Sequence, residues 1–442
     1  MLLIFAATCL LLCLPSEAPA GAIPVEEESL RELRVTISRQ QEMLRRQGEQ
    51  IRQQSERLDA LQRQINSLQC HGQISSPEAF QHTSATRQAD TAAPLESPSP
   101  LTVSSGGGKA RVSLSGQLNR AFTIAGDGRS VKFYPVDNSS SSSRIRISGT
   151  ALLNDDMSLA ARLEVGITPD ASSLVSQVNQ APGNLFDQRW AEVSLTSARY
   201  GKLSLGKGDT ASNSTAEVDL SGTDVVQYAK ISDIGGGMLF REKGGDNSLT
   251  TLKVSDAFND WDGLSRQSRL RYDTPAYYGF SLAGSLVTGQ RYDAAVFWSG
   301  EGYGLKASAA FAVANPELAD KGLQYDGSMS LLHLNSGFNL TLSGGLLEDE
   351  IREDAINLYA KIGWIANLFK LGNTAFGLDY TRSENLPLAG DRAWSVGAAA
   401  VQSFNKIATE FYLQYRTYSL DRRSGPAVKR LDLGSFGARV RF

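Results

Sequence analysis

The sequence predicts an all-β body, a 16-stranded antiparallel transmembrane β-barrel, preceded by an α-helical coiled coil. Three features carry that reading. From Ala110 to Phe442, segments of about ten residues alternate apolar and polar side chains, the period of a strand with two unlike faces. From Leu30 to Leu68 the period changes to a heptad. Beyond the N-terminus no apolar run reaches the ~18 residues of a helical membrane span, so any crossing must be made by strands.

Composition narrows the classes. Of 442 residues, 41% are apolar, enough for a folded body, and 41 glycines with 14 tyrosines suit a β-rich chain with many turns. A net charge of −3 gives no footprint for nucleic acid. Residues 1–20 form an apolar core closed by Ala18-Pro19-Ala20, which reads as a signal peptide, although no Lys or Arg precedes the core. Retention as a signal anchor is the alternative, and Cys9 or Cys13 fits a lipidation site poorly. Export removes both and leaves Cys70, which either stays free or pairs between chains.

The segment 25–70 is expected to be a coiled-coil oligomerisation element in the periplasm. Its a positions are Leu30, Ile37, Leu44, Ile51, Leu58 and Ile65. Its d positions are Leu33, Gln40, Gln47, Gln54, Leu61 and Leu68. Buried Gln layers cost stability and restrict register, and the mixed Leu/Ile core suits a trimer at least as well as a dimer. A single amphipathic helix folded onto its own chain is the bland alternative. Residues 71–109, rich in Pro, Ser, Ala and Gly, read as a flexible linker, and Gly106-Gly107-Gly108-Lys109 lacks the spacing of a phosphate loop.

The barrel domain is expected over 110–442, with strands near 110–125, 143–153, 157–168, 187–197 and 201–209. After a long segment, 210–264, eleven more follow, beginning near 266 and ending at Phe442. Leu159, Ala161, Leu163, Val165 and Ile167 oppose Arg162 and Glu164; Leu340, Leu342 and Leu346 oppose Asn339, Thr341 and Ser343. In a soluble sandwich the apolar faces would meet; in a membrane barrel they face lipid and the polar faces line water. An even strand count, short connections alternating with long ones, and an export signal favour the barrel. Tyr200, Tyr277, Tyr278, Phe280, Trp394 and Phe404 fall near strand ends, where interfacial girdles sit.

The runs SARYGKLSLGKGDT and SRLRYDTPAYYGFSLAGSL and the terminal ARVRF resemble the sixteen-stranded general porins of Gram-negative outer membranes, over residues 110–442. The resemblance implies a homotrimer, short turns on the periplasmic side and a third loop folded into the barrel as a constriction. It implies an outer-membrane assembly signal at Phe442 and Val440, read by the barrel-assembly machinery. The third loop is longer than usual and suggests an extra hairpin around Met238–Val254, and a coiled coil belongs only to some relatives.

On the wet faces, Arg144 and Arg146, then Arg162, then Arg269 and Arg271 are expected to line the pore and to face Glu217, Asp219, Asp224 and Asp233 of the constriction loop. Opposed charges create a transverse field that favours polar solutes. No catalytic constellation, metal site or cofactor site is evident; His333 lies alone on a strand. The expected function is passive diffusion of small hydrophilic solutes and ions. An anion-selective, solute-specific channel is one alternative. A tether between outer membrane and cell wall, through the coiled coil, is another.

Overall fold

The computed structural model describes residues 101–104 and 110–442. The leader, the whole coiled coil with its core positions, Cys70 and most of the linker lie outside the described residues. Alternation is what builds the body. A strand whose alternate residues are apolar on the outward face and small or polar on the inward one can pair with neighbours on both edges, and the sheet curls until its ends meet.

The strands are β1 (Leu101–Ser104), β2 (Ala110–Gly126), β3 (Val131–Asp137), β4 (Arg144–Leu152), β5 (Met157–Pro169), β6 (Asn184–Ser197) and β7 (Gly201–Asp209). Two short strands, β8 (Leu239–Arg241) and β9 (Leu249–Lys253), pair only with each other. Then follow β10 (Arg266–Asp273), β11 (Phe280–Val287), β12 (Arg291–Gly302), β13 (Leu305–Asn315) and β14 (Lys321–His333). The last are β15 (Phe338–Asp349), β16 (Ala355–Phe369), β17 (Gly372–Glu384), β18 (Arg392–Phe404), β19 (Thr409–Asp421) and β20 (Leu431–Arg441). β2 pairs antiparallel with both β3 and β4, β4 to β7 and β10 to β20 each pair antiparallel with the next, β7 pairs with β10, and β20 returns to β2 in a register running from Gln117↔Arg441 to Gly126↔Asp432. The sheet is closed, so it has sixteen walls and no free side.

The sixteenth wall comes from two pieces. β3 pairs with the C-terminal half of β2 and β4 with its N-terminal half. The serine run between them, residues 138–143, leaves the wall and turns inward: Gln117 Nε2 donates to Ser141 O at 2.8 Å and Asn119 Nδ2 to the same oxygen at 2.9 Å. Sequence alternation cannot reveal β3, because Pro135 interrupts it and the serines read as loop.

Two expectations change here. Leu101–Ser104, expected within the linker, is a strand whose register on β2 runs from Leu101↔Leu114 to Ser104↔Arg111. Nor is the short–long alternation of connections uniform. The link 288–290 lies on the rim of the long loops yet is as tight as the turns opposite, with Gly289 and Gln290 both at positive φ, as a hairpin this short requires.

Outward side chains are apolar almost throughout, among them Ile147, Leu163, Leu286, Phe311, Leu358 and Leu413, all exposed. Every strand from β10 to β19 also carries an outward aromatic. Phe280 meets Trp298 with tilted rings, and Phe338, Trp364 and Phe376 stack, across neighbouring strands. A water-soluble surface does not look like this; a lipid-facing one does.

Candidate functional site

The site is the lumen, and what shapes it is the chain between β7 and β10. This third loop enters the barrel and runs along the inner wall. Small hydroxyl residues spaced by two on the strands capture its backbone. Ala211 N donates to Ser285 Oγ at 2.7 Å, Val218 N to Ser328 Oγ at 2.9 Å and Leu220 N to Ser330 Oγ at 2.9 Å. Ser328 and Ser330 share one face of β14, so two alternate loop amides meet two alternate serines. The loop's own ends are fastened together. Asp262 accepts from Ser214 N at 2.8 Å and Ala216 N at 3.1 Å, and Gly263, at φ +50°, lies so close to Ser212 that a Cβ there would fall 2.1 Å from its Oγ.

Farther along, the loop builds an apolar core inside the barrel. Val225, Ile231, Ile234, Met238, Phe240 and Phe258 bury against inward residues of β2, β3 and β16–β20, including Tyr134, Tyr418 and Leu433. Tyr418 Oη donates to the carbonyls of Ile231 and Ile234 at 2.9 and 2.5 Å. Inward faces expected to line water are therefore partly dry. β18 shows why: Ala393, Ala399 and Val401 face inward, Val396 and Ala398 outward, so the strand is apolar on both sides.

The adjoining wall of β4–β6 stays polar and cationic. Arg144 and Arg146 of β4, Arg162 of β5 and Arg189 of β6 converge on one carboxylate, Glu164, at 3.8, 2.6, 3.0 and 2.8 Å. Arg162 also lies over the Trp190 ring, 3.5 Å from its centroid. Four guanidinium groups share a single buried anion, so this wall keeps a net positive charge. Arg189 has no counterpart in the sequence reading. Glu164 pairs with Trp190 but Val165 with Gln188, so Arg189 is the extra residue of a β-bulge, which turns inward a side chain that strict alternation would aim at lipid.

A family model described as Gram-negative porin matches residues 84–434. The chain belongs to the Gram-negative porins. Solved structures of similar fold include an anion-selective porin from Comamonas acidovorans, 15% identical with TM-score 0.52, covering 75% of this chain and 100% of that one. OmpT with its loop L8 deleted, an outer-membrane protein of Vibrio cholerae, is 13% identical with TM-score 0.50, over 76% of this chain and 100% of that one. Among curated protein sequences none matches. As a porin, the barrel is a passive-diffusion channel of the outer membrane.

The porin's expected site residues divide. Arg144, Arg146 and Arg162 stand together on the lumen wall. Arg269 does not join them. It is buried, paired with Glu192 at 2.6 Å, and donates to the carbonyls of Asp209 and Gly206. Arg271 is held by Asp273 at 2.6 Å and donates to Thr210 O. Both pin the root of the third loop, because the strand face that points inward there meets the loop before it meets open water.

Among the acids, Asp219 turns away from the arginines to buried Lys361 on β16, which also donates to Thr223 Oγ1 at 3.0 Å and Gln227 O at 2.9 Å. Asp224 has Arg439 and Arg441 of β20 as its cationic neighbours. Asp233 accepts from Tyr228 Oη and, like Glu217, has Lys230 of the same loop as its leading cationic neighbour, with Arg189 a weaker influence on Asp233. The sequence could not show Lys361's role, since a lone lysine on an inward face reads as an ordinary wetted residue. His333 hydrogen-bonds Ser336 Oγ at 2.7 Å across an exposed turn, which fixes the turn. Phe442 exchanges backbone hydrogen bonds with Gly116 at 2.7 and 3.0 Å, and Val440 pairs with Leu118.

Proposed function

We propose that this porin passes small hydrophilic solutes with a preference for anions, along a channel confined to the lumen side lined by β4–β6. The arginine cluster on Glu164 carries the reading. In a narrow, low-dielectric passage an excess of fixed positive charge concentrates anions and repels cations. The loop acids offset this only in part, because Asp219 is neutralised by Lys361 and Asp224 lies near Arg439 and Arg441. We read the chain as a channel and not an enzyme. Reversal potentials across a bilayer under a salt gradient test the preference. The wild type should favour the anion, and Arg146→Gln with Arg189→Gln should move the potential several-fold in permeability ratio toward the cation. An unchanged potential in the double variant would exclude this cluster as the selectivity element.

The same reading includes a homotrimer. The outward faces of β4, β5 and β7 carry no aromatic and are smooth, with Ile145, Ile147, Gly149 and Ala151 on β4 and Leu203 and Leu205 on β7. Partner copies cover such a face better than a lipid headgroup region, which favours Trp and Tyr. A tethering role for the coiled coil is supported by β1, which ties the segment entering from the N-terminus to the barrel on the rim of the short turns, the periplasmic rim in a porin.

A further inference from the structure

The third loop holds a second element, the β8–β9 hairpin with its tip at residues 242–248, which the passage described above does not use. Three other loops hold it. From the loop between β2 and β3, Asp127 accepts from Arg241 at 2.6 Å. From the loop between β5 and β6, Gln177 mimics a neighbouring strand, donating to Leu239 O at 2.8 Å and accepting from Leu239 N at 2.9 Å. From the last loop, Lys243 N donates to Ala427 O and Lys429 N to Arg241 O, both at 2.7 Å, around an antiparallel bridge of Glu242 with Val428. Its base is seated in the apolar core by Met238 and Phe240, both fully buried. All three loops rise from the rim of the long connections, while Met238 and Phe240 at the base of the hairpin belong to the same apolar cluster as the inward Tyr134 of β3 and Leu431 and Leu433 of β20. The hairpin therefore stands within the mouth, not outside it.

We propose that this hairpin is a fixed partition of the outer mouth and the size-determining element of the channel: it closes the mouth from the loop after β19, across β2 and β3, to the loop between β5 and β6, and leaves entry only on the remaining side. The inference rests on the pore reading and goes beyond it, since selectivity by charge needs no partition. A gate would be held on one side and free on another; this hairpin is held by three loops and a core. Its tip beyond Lys243 is exposed, with Gly244 and Gly245 at positive φ and open space around both.

The test uses the full-length porin in planar bilayers and in liposomes challenged with neutral sugars of graded size. Val254 N donates to Met238 O at 3.0 Å, so the ends flanking the hairpin already lie side by side. An Asn-Gly turn can then replace Leu239–Lys253 without stretching the chain. Retained heat-resistant mobility of the folded barrel establishes that this variant is intact. The expected result is a rise in single-channel conductance of about twofold or more and entry of larger sugars, because both follow the open cross-section. Unchanged conductance and size limit would overturn the partition. A second variant, Glu242→Cys with Val428→Cys in a Cys70→Ser background, separates partition from gate. Oxidation should leave conductance unaltered, and a change on cross-linking would show that the hairpin moves during conduction. A wild type that conducts nothing would instead overturn the pore reading itself.

Discussion

At the scale of single residues, the decisive fact is which charges meet and which stand apart. Lys361 is fully buried and Asp219 nearly so, and a buried pair is most costly when one partner is removed. Lys361→Met should destabilise the third loop by ~3–5 kcal/mol and expose 210–264 to proteases, whereas adding Asp219→Leu should restore much of the loss. Limited proteolysis of the folded barrel checks both; equal resistance in the single variant would contradict the anchor. Asp127 gives a pH dependence. Burial alone would raise its carboxyl, but hydrogen bonds from Arg241 and from the amides of Ser130 and Arg129 outweigh it and hold the group at about 2. A lowered pKa stabilises the ionised, folded form, so the Asp127–Arg241 link contributes fully above about pH 4, the ordinary range of an Asp, and is lost as pH falls through about 2. Hydrogen exchange should show the hairpin protected down to that range, and Asp127→Asn should weaken the protection already at neutral pH.

At the scale of elements, the wall strands other than β1 and β3 were legible because each is a short statement of one rule. Leu159–Ile167 with Arg162 and Glu164 between them needs no tertiary information to be read as a strand with a wet face. The path of the third loop was not legible, since it is written in side chains spread over β11, β14, β16 and β19 that only closure brings together. Arg189 was hidden by a bulge, and Lys361 by the ordinariness of its position. β18 was a partial exception: its apolar residues on both faces signalled a strand covered from inside, and that signal was present in the sequence. The C-terminal seam yields a prediction of its own. A Cβ on Gly116 would lie 2.7 Å from the Phe442 ring, so Gly116→Val should force that ring off the seam. Refolding into the heat-resistant form should slow or fail, with Phe442→Ala less severe because it removes contact without adding a clash. Equal refolding of Gly116→Val and wild type would show that the seam tolerates an open end.

At the scale of the whole molecule, a barrel wide enough for a broad aqueous channel has spent much of its interior on a dry core and a mouth hairpin, and what remains open is bounded by arginines. The total charge of −3 gives no hint of this, because the acids lie largely elsewhere while the basic wall is concentrated by strand alternation. Size and charge selection are thus carried by different parts of one loop-filled lumen, the hairpin for the first and the wall of β4–β6 for the second. The account stands or falls on the channel being open. The measurement that tests this most directly is single-channel recording of the refolded wild-type protein in a planar bilayer with a salt gradient. Openings in linked threes, of low conductance for a sixteen-stranded barrel and with a reversal potential on the anion side, are the predicted result. Correctly folded barrels that pass no current would contradict it, and the third loop would then be a plug.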